Sequence, residues 1–321
     1  MSRVLVTGAA GFVGSHLTAS LRSEGHEVSP IVRAARAPGD VTMSELLAGQ
    51  GPHEADVVVH AAAVRHRYGA SADTYRSSNI ELIGDLLRRA KAIGCRRFVL
   101  VSSVGVYGFP TALPITERHR FAPRTLYSAT KVHAEKAARL LAAELDLELV
   151  IVRPTIVYGP GDRHGMLDKL ADVIAARRYL IVGPGTNVLH HTHVDDVVRG
   201  LTLAAFRREA AGEDFILAGP ETTTLAELSR LVAAELRVRL PRMHLPLPVA
   251  RLAASAIDLA AYRGWAFVSH EPPVNHDKLD VMTVSIAFDP AKARALLGYE
   301  PRVRYEEGVR RTLAARGTSP S

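Results

Sequence analysis

Apolar runs alternate with amphipathic stretches through the first half of the chain. Val4–Val6, Val28–Val32, Val57–His60, Phe98–Val101 and Leu149–Val152 are short and nearly continuous in apolar character, the pattern of strands covered on both faces. Between them lie Val13–Ser23, Thr74–Ile93 and Tyr127–Leu145, where apolar positions recur at the helical period. Strands separated by helices pair in parallel through crossovers, so the pattern predicts an α/β fold with a doubly wound parallel sheet. A later run, Phe215–Leu217, is predicted to rejoin the sheet, because the helix-like segment Val194–Ala205 leads back to it.

The rest of the C-terminal half is less regular and rich in proline. It predicts a smaller lobe assembled from residues 156–188 and 220–321, beside a main domain of residues 1–155 and 189–219. With 321 residues, 47% of them hydrophobic, the chain has ample apolar material for both. The longest apolar stretch, Leu245–Ala261, is interrupted by Arg251 and Asp258 and is too short to span a bilayer comfortably. No signal peptide is expected ahead of the first strand, and the single cysteine, Cys95, excludes an internal disulfide framework. A cytoplasmic protein without an integral membrane segment is therefore expected. The net charge of +7 comes from arginines scattered among acidic residues, with no dense basic block interleaved with aromatics. That distribution favours a negatively charged small molecule over a nucleic acid.

Chemistry enters first at Val4-Leu-Val-Thr-Gly-Ala-Ala-Gly-Phe-Val-Gly14. Three glycines spaced by three, between a strand and a helix, allow a sharp turn, a close-approaching pyrophosphate and tight packing of helix on strand. An isolated glycine turn of this kind can also be purely structural. Tyr127-Ser-Ala-Thr-Lys131 is the second feature. On a helix, positions four apart share a face, and an ammonium beside a phenol lowers the pKa of the phenol toward working pH. Such a pair also occurs as an ordinary surface contact. Third, Val99-Leu-Val-Ser-Ser103 ends a strand in two hydroxyls, at the sheet edge where ligands of parallel sheets bind. Without the tyrosine pair, Ser102 and Ser103 would read as turn caps.

Together with Asp56-Val-Val-Val-His-Ala-Ala-Ala63, Asn79, Arg153-Pro-Thr-Ile-Val-Tyr-Gly-Pro-Gly161, His193-Val-Asp-Asp196 and Phe288-Asp-Pro, these motifs stand in one order along nearly the whole chain. In that order they resemble the extended short-chain dehydrogenase/reductase family, nearest in pattern to its 3β-hydroxysteroid dehydrogenase and dihydroflavonol reductase branches. The resemblance implies a Rossmann-like main domain and a smaller substrate-binding lobe. It implies Ser103, Tyr127, Lys131 and Asn79 as catalytic residues. Cofactor contacts would come from Gly8, Gly11, Phe12, Val13, Gly14, Asp40, Val41, Ala61, Ala62, Ala63, Ser102, Tyr127, Lys131, Pro154 and Val157, with no metal. A homodimer through the helices holding Asn79–Ala92 and Tyr127–Leu145 is the oligomer it implies.

Cofactor preference is read at the end of the second strand. An NAD site places an acidic residue about 20 positions after the glycine turn. Here that place is Arg33, with Arg36 nearby and no acid between them. Guanidinium groups suit a 2′-phosphate, so NADP is favoured with NAD possible, unless both arginines face solvent. The link from Arg33 to Asp40 is shorter than the helix and strand usual in the family.

Three function classes follow. A ketoreductase or alcohol dehydrogenase on a fairly apolar carbonyl or alcohol is favoured. A nucleotide-sugar epimerase, dehydratase or 4-ketoreductase is the alternative, but those relatives commonly carry Arg-Asp where this chain has Leu189 and His190. A non-catalytic dinucleotide sensor ranks third, since such proteins often lose the tyrosine. Of the remaining features, His190, His191 and His193 read as packed or substrate-facing histidines, and Arg65-His-Arg67 equally as a group that reaches substrate or as a solvated loop. Val249–Tyr262 reads first as lobe core, next as a wall of an apolar pocket.

Overall fold

The computed structural model describes residues 1–35, 40–63, 80–163, 165–241, 244–262 and 276–316. Six strands, β1 (Arg3–Thr7), β2 (Glu27–Val32), β3 (Val41–Thr42), β4 (Val57–His60), β5 (Arg97–Val101) and β6 (Glu148–Pro154), join the strand Asp214–Leu217 in a seven-stranded sheet. Its order is Asp214–Leu217, β6, β5, β4, β1, β2, β3, and every pair is parallel. The registers Thr7↔His60, His60↔Leu100 and Val101↔Val152 bring the carboxyl ends of the central strands to one edge. Each loop that leaves those ends therefore starts from that edge.

Side chains alternate across the strands, and both faces are apolar because helices cover both. On one face Val4, Val6, Val57, Val59, Val99, Val150 and Val152 pack with Leu17 and Leu21 of helix α1 (Phe12–Ser23) and with the helix Val194–Phe206. On the other, Leu5, Ile31, Val58, Phe98, Leu100, Leu149 and Ile151 meet Leu86 and Leu87 of a second long helix (Leu82–Ala92) and Ala134, Ala138 and Ala142 of a third (Leu126–Glu144). Burying one such Val, Leu or Ile side chain contributes roughly 1.5–3 kcal/mol, so these two layers dominate the stability of the sheet. The segment predicted as helix from Thr74 is described from residue 80 onward.

The chain divides into two compact units. One comprises Met1–Val157, Thr192–Pro220 and Phe288–Val303; the other comprises Tyr158–His191, Glu221–Ala287 and the chain from Arg304. Phe288–Val303, expected in the smaller lobe, belongs instead to the sheet unit. It is tied there by a bridge between Ile115 and Phe288, by Tyr299 donating to the Ala218 carbonyl at 3.1 Å, and by Asp196 accepting from the Arg302 and Val303 amides at 2.9 Å each. The second unit has its own core of Tyr158, Leu167, Ile174, Ile181, Leu189, Leu228, Val232, Tyr305 and Val309. Its helix Leu247–Tyr262 buries Ala250 and Ala254 against Val182 and Leu279, while Val249, Leu252 and Leu259 lie exposed. Along that edge the buried side chains are these two alanines, with Leu247 packed half-buried against them. Among the described residues no helix is long and apolar enough to cross a membrane.

Candidate active site

The glycine turn is closed by contact. A Cβ on Gly14 would lie 2.1 Å from the Gly8 carbonyl oxygen, and one on Gly8, whose φ is +71°, would lie 2.7 Å from the Ala62 amide nitrogen. The Gly11 amide donates to the same Gly8 carbonyl at 2.8 Å. Gly11 is the N-cap of α1 and has no side chain with which to cap it, so the helix opens with its amide end bare of side-chain acceptors. Such an end favours an anion. Phe12 and Val13, on the first turn, are half-buried against the core, and Ala61, Ala62 and Ala63 leave β4 beside the glycines, also half-buried.

Thr7 and His60 end their strands as a buried pair. Thr7 Oγ1 lies 2.7 Å from His60 Nδ1 and accepts from the Ala62 amide at 3.4 Å, fixing the backbone over which the glycines pass. Burial, with the Lys131 charge adding to it, pushes the His60 imidazole down to about 3, so the ring is neutral.

At the end of β5, Ser102 is buried and its Oγ has no hydrogen-bond partner among the described residues. Ser103 caps the short 3-10 turn Val104–Tyr107, its Oγ accepting from the Gly105 amide at 3.1 Å. A Cβ on Gly105 would fall 3.4 Å from Ser103 Oγ and 3.5 Å from Ser128 Cβ, so this turn lies against the start of the helix Leu126–Glu144. A capping box sets that start, with Thr125 and Ser128 exchanging bonds of 3.1 Å each way. Tyr127 is the second helical residue and is half-buried.

Lys131 follows one turn later and is buried, with its Nζ donating to the Val101 carbonyl at 2.8 Å and lying 5.9 Å from the centre of the Tyr127 ring. Burial pushes the ammonium down to about 8, against an upward pull from Glu135. Ser103, Tyr127 and Lys131 thus gather where β5 meets this helix.

Behind them lies a set of buried charges that the motif reading left without a role. Arg153 binds both oxygens of Glu135, at 3.0 and 2.7 Å, donates to the Tyr107 hydroxyl at 2.7 Å, and pairs with Asp214. Burial opposes the Arg153 charge, but the Glu135 carboxylate outweighs it and raises the guanidinium pKa. Burial likewise works against Asp214, which Arg153, Lys292 and Arg139 together hold below the usual carboxylate range. The signal in the sequence was the spacing Tyr127, Lys131, Glu135, which repeats the four-residue step once more along one helical face.

The other sequence-predicted residues are placed more loosely. Pro154 ends β6 and is buried; Val157, three residues on, is half-buried against the sheet core. Arg33 follows β2 directly and is exposed, and Asp40 leads into Val41, which pairs with Ile31. Arg36, Asn79 and Arg65-His-Arg67 lie outside the described residues. His191 is buried and, chiefly by that burial, pushed down to about 3, whereas His193 caps its helix by accepting from the Asp195 amide at 3.2 Å. Cys95 is buried, and its Sγ donates to the Arg97 carbonyl at 3.0 Å.

A parallel sheet thus carries a glycine turn at one strand end and a Tyr–Lys helix beside another. Residues 4–218 match the NAD dependent epimerase/dehydratase family. The chain belongs to that family. As a member of this extended short-chain dehydrogenase/reductase group it is an NAD(P)-dependent oxidoreductase-type enzyme. It is 27% identical to a 3-beta-hydroxysteroid dehydrogenase of Mycolicibacterium neoaurum, over 100% of this chain and 96% of the relative. It is 29% identical to the 2-alkyl-3-oxoalkanoate reductase of Stenotrophomonas maltophilia, over 98% of this chain and 99% of that one. A crystal structure of UDP-glucuronic acid 4-epimerase from Bacillus cereus in complex with NAD shares the fold, with a TM-score of 0.76, 22% identity and 98% of each chain covered.

Proposed function

We propose that this member of the epimerase/dehydratase family is a ketoreductase or alcohol dehydrogenase that prefers NADP(H) and interconverts a carbonyl and a secondary alcohol on a fairly apolar small molecule. The observation that carries the reading is the buried Lys131 ammonium beside the Tyr127 ring, with the Ser103 hydroxyl on the adjoining turn.

The residues present fit a dinucleotide. The glycine turn packs too closely for a Cβ at Gly8 or Gly14, the first turn of α1 lacks a side-chain cap, and the buried Ser102 Oγ has an unmet hydrogen-bonding capacity. Gly8, Gly11, Phe12, Val13 and Gly14 would hold the pyrophosphate, Ala61, Ala62, Ala63, Ser102, Pro154 and Val157 the nicotinamide half, and Asp40 and Val41 the adenine. When bound, the nicotinamide supplies or takes up the hydride.

The chain's own groups handle the oxygen and the proton. Ser103 Oγ accepts from the Gly105 amide, which leaves its hydroxyl proton to donate to the substrate carbonyl oxygen. Tyr127 passes its proton to that oxygen during reduction and receives one back during oxidation. Lys131 stabilises the resulting phenolate and binds the nicotinamide ribose through its ammonium. Asn79, by the family resemblance, helps organise the site.

Two features support an apolar substrate. Leu189, where sugar-nucleotide relatives carry arginine, is buried among Tyr158, Ile181 and Leu225, so no guanidinium stands there. Two of the sequence relatives, moreover, are named for steroid and alkyl-oxoalkanoate chemistry. The preference for NADP rests on Arg33, exposed directly after β2. A homodimer would form through the helices Leu82–Ala92 and Leu126–Glu144, the second of which exposes Leu140.

The test is a panel of sterols, aromatic and polyketide ketones and their alcohols followed by nicotinamide absorbance, with UDP-sugars followed by chromatography of the products, because an epimerase returns its hydride and leaves no net change in absorbance. Turnover of an apolar ketone or alcohol above every nucleotide sugar is expected; the reverse order would support the nucleotide-sugar alternative instead.

A further inference from the structure

Lys131 needs its charge to bind ribose hydroxyls and to acidify Tyr127, yet it is buried in a place that resists charge. The groups that face it come from three sides. Tyr127 and Glu135 stand one turn before and one turn after it on its own helix. His60 at the end of β4 is buried and neutral, and so adds no counter-charge. Val101, at the end of β5, offers a backbone carbonyl. Glu135 is thus the carboxylate that acts on the ammonium, and it is itself 1% exposed. Both of its oxygens are gripped by Arg153, which is anchored in turn to Tyr107 and Asp214.

We propose that Glu135 and Arg153 are positioning residues for Lys131: the carboxylate one helical turn away, locked in place by the guanidinium behind it, supplies the counter-charge that keeps the buried ammonium protonated and cofactor-competent. The proposal rests on Lys131 as the cofactor-binding ammonium of the reading above. It assigns both residues an effect of one sign. A neutral residue at 135 removes the carboxylate that acts on the Lys131 ammonium, which favours loss of the proton. A neutral residue at 153 strips the buried Glu135 of the partner that holds both its oxygens, so the counter-charge is no longer held in place beside Lys131, which favours loss of the proton as well. A purely architectural ion pair would give losses of stability in both variants and no movement of the Lys131 midpoint.

NADPH and NADH fluorescence on binding, measured from pH 6.5 to 10, reads this without any substrate. In the parent protein, affinity should fall as pH rises, with a midpoint near the value of about 8 that burial gives Lys131. Glu135→Gln should move the midpoint down by about half a pH unit or more, the size expected of one partly compensated charge, and Arg153→Met should move it in the same direction. If Glu135→Gln does not fold, Arg153→Met decides alone: a downward shift supports the pair, an unmoved or raised midpoint overturns it. Folded variants that both keep the parent midpoint overturn it as well. Lys131→Met separates the two layers of the argument. If the pH dependence survives that substitution, the assignment of Lys131 to the cofactor fails and the proposal falls with it; if the dependence vanishes, the Glu135 and Arg153 shifts test the proposal itself.

Discussion

Thr7 and His60, 53 residues apart in sequence, face each other across β1 and β4 with 2.7 Å between hydroxyl and imidazole, both sealed from solvent. Burial holds His60 at about 3, with help from the charge of Lys131, and burial does the same to His191 with help from His190. An unfolded histidine takes up its proton near 6.5. Each ring therefore contributes stability that is complete above about pH 6.5 and is lost as pH falls toward 3. The loss approaches about 1.4 kcal/mol per pH unit for each ring well below pH 6.5. Thermal melts from pH 7.5 to 5 should show a falling Tm, and His60→Gln should flatten the slope. A level profile in the parent protein would contradict the burial of these rings.

Gly14→Ala should be far more damaging than Gly11→Ala. The added Cβ meets Gly8 backbone at 2.1 Å in the first case, where nothing flexible can yield, and at 3.0 Å in the second. Overpacking of this kind costs about 1–3 kcal/mol. The displaced turn should also lose cofactor affinity at least about tenfold, the equivalent of 1.4 kcal/mol. Parallel melts and NADPH titrations of the two variants check the order.

Tyr127→Phe should retain the fold and the cofactor while turnover drops by ~10²–10⁴, the usual contribution of a positioned acid–base group. Lys131→Ala should lower both affinity and rate, because the ammonium serves both. Near-normal turnover in Tyr127→Phe would remove the phenol from the mechanism.

Arg33 governs the cofactor prediction. A well-formed charge-assisted contact to a 2′-phosphate contributes about 1.5–3 kcal/mol, so NADPH should bind at least about tenfold more tightly than NADH. Arg33→Asp should shrink or invert the ratio. Equal affinities in the parent protein would show that this exposed side chain stays in solvent.

What could be read in advance was local and periodic. Val4, Leu5 and Val6 alternate between the two buried faces, and no helix-forming pattern competes with that reading, so strand positions were legible to within a residue or two. The four-residue step from Tyr127 to Lys131 needed only helix geometry to be understood. Pairing over distance was opaque. Arg153 gathers Glu135, Tyr107 and Asp214 from 18, 46 and 61 residues away, and nothing in a linear pattern links them. An apolar stretch does not say which of its residues face inward: in Val249–Tyr262, read first as lobe core, Ala250 and Ala254 are buried while Val249, Leu252 and Leu259 are exposed. Phe288–Val303 returns to the sheet unit through contacts made by Tyr299 and the amides of Arg302 and Val303, which a proline-rich composition conceals.

That return has a consequence for how this enzyme can be altered. The chain passes from one unit to the other after Val157, His191, Pro220, Ala287 and Val303, so neither unit is a continuous stretch of sequence. Neither can be cut out as a fragment, exchanged as a cassette with a relative, or released by a single proteolytic nick. New specificity in such an architecture has to arrive residue by residue within an intact chain, and libraries built on point substitution will sample it better than domain shuffling.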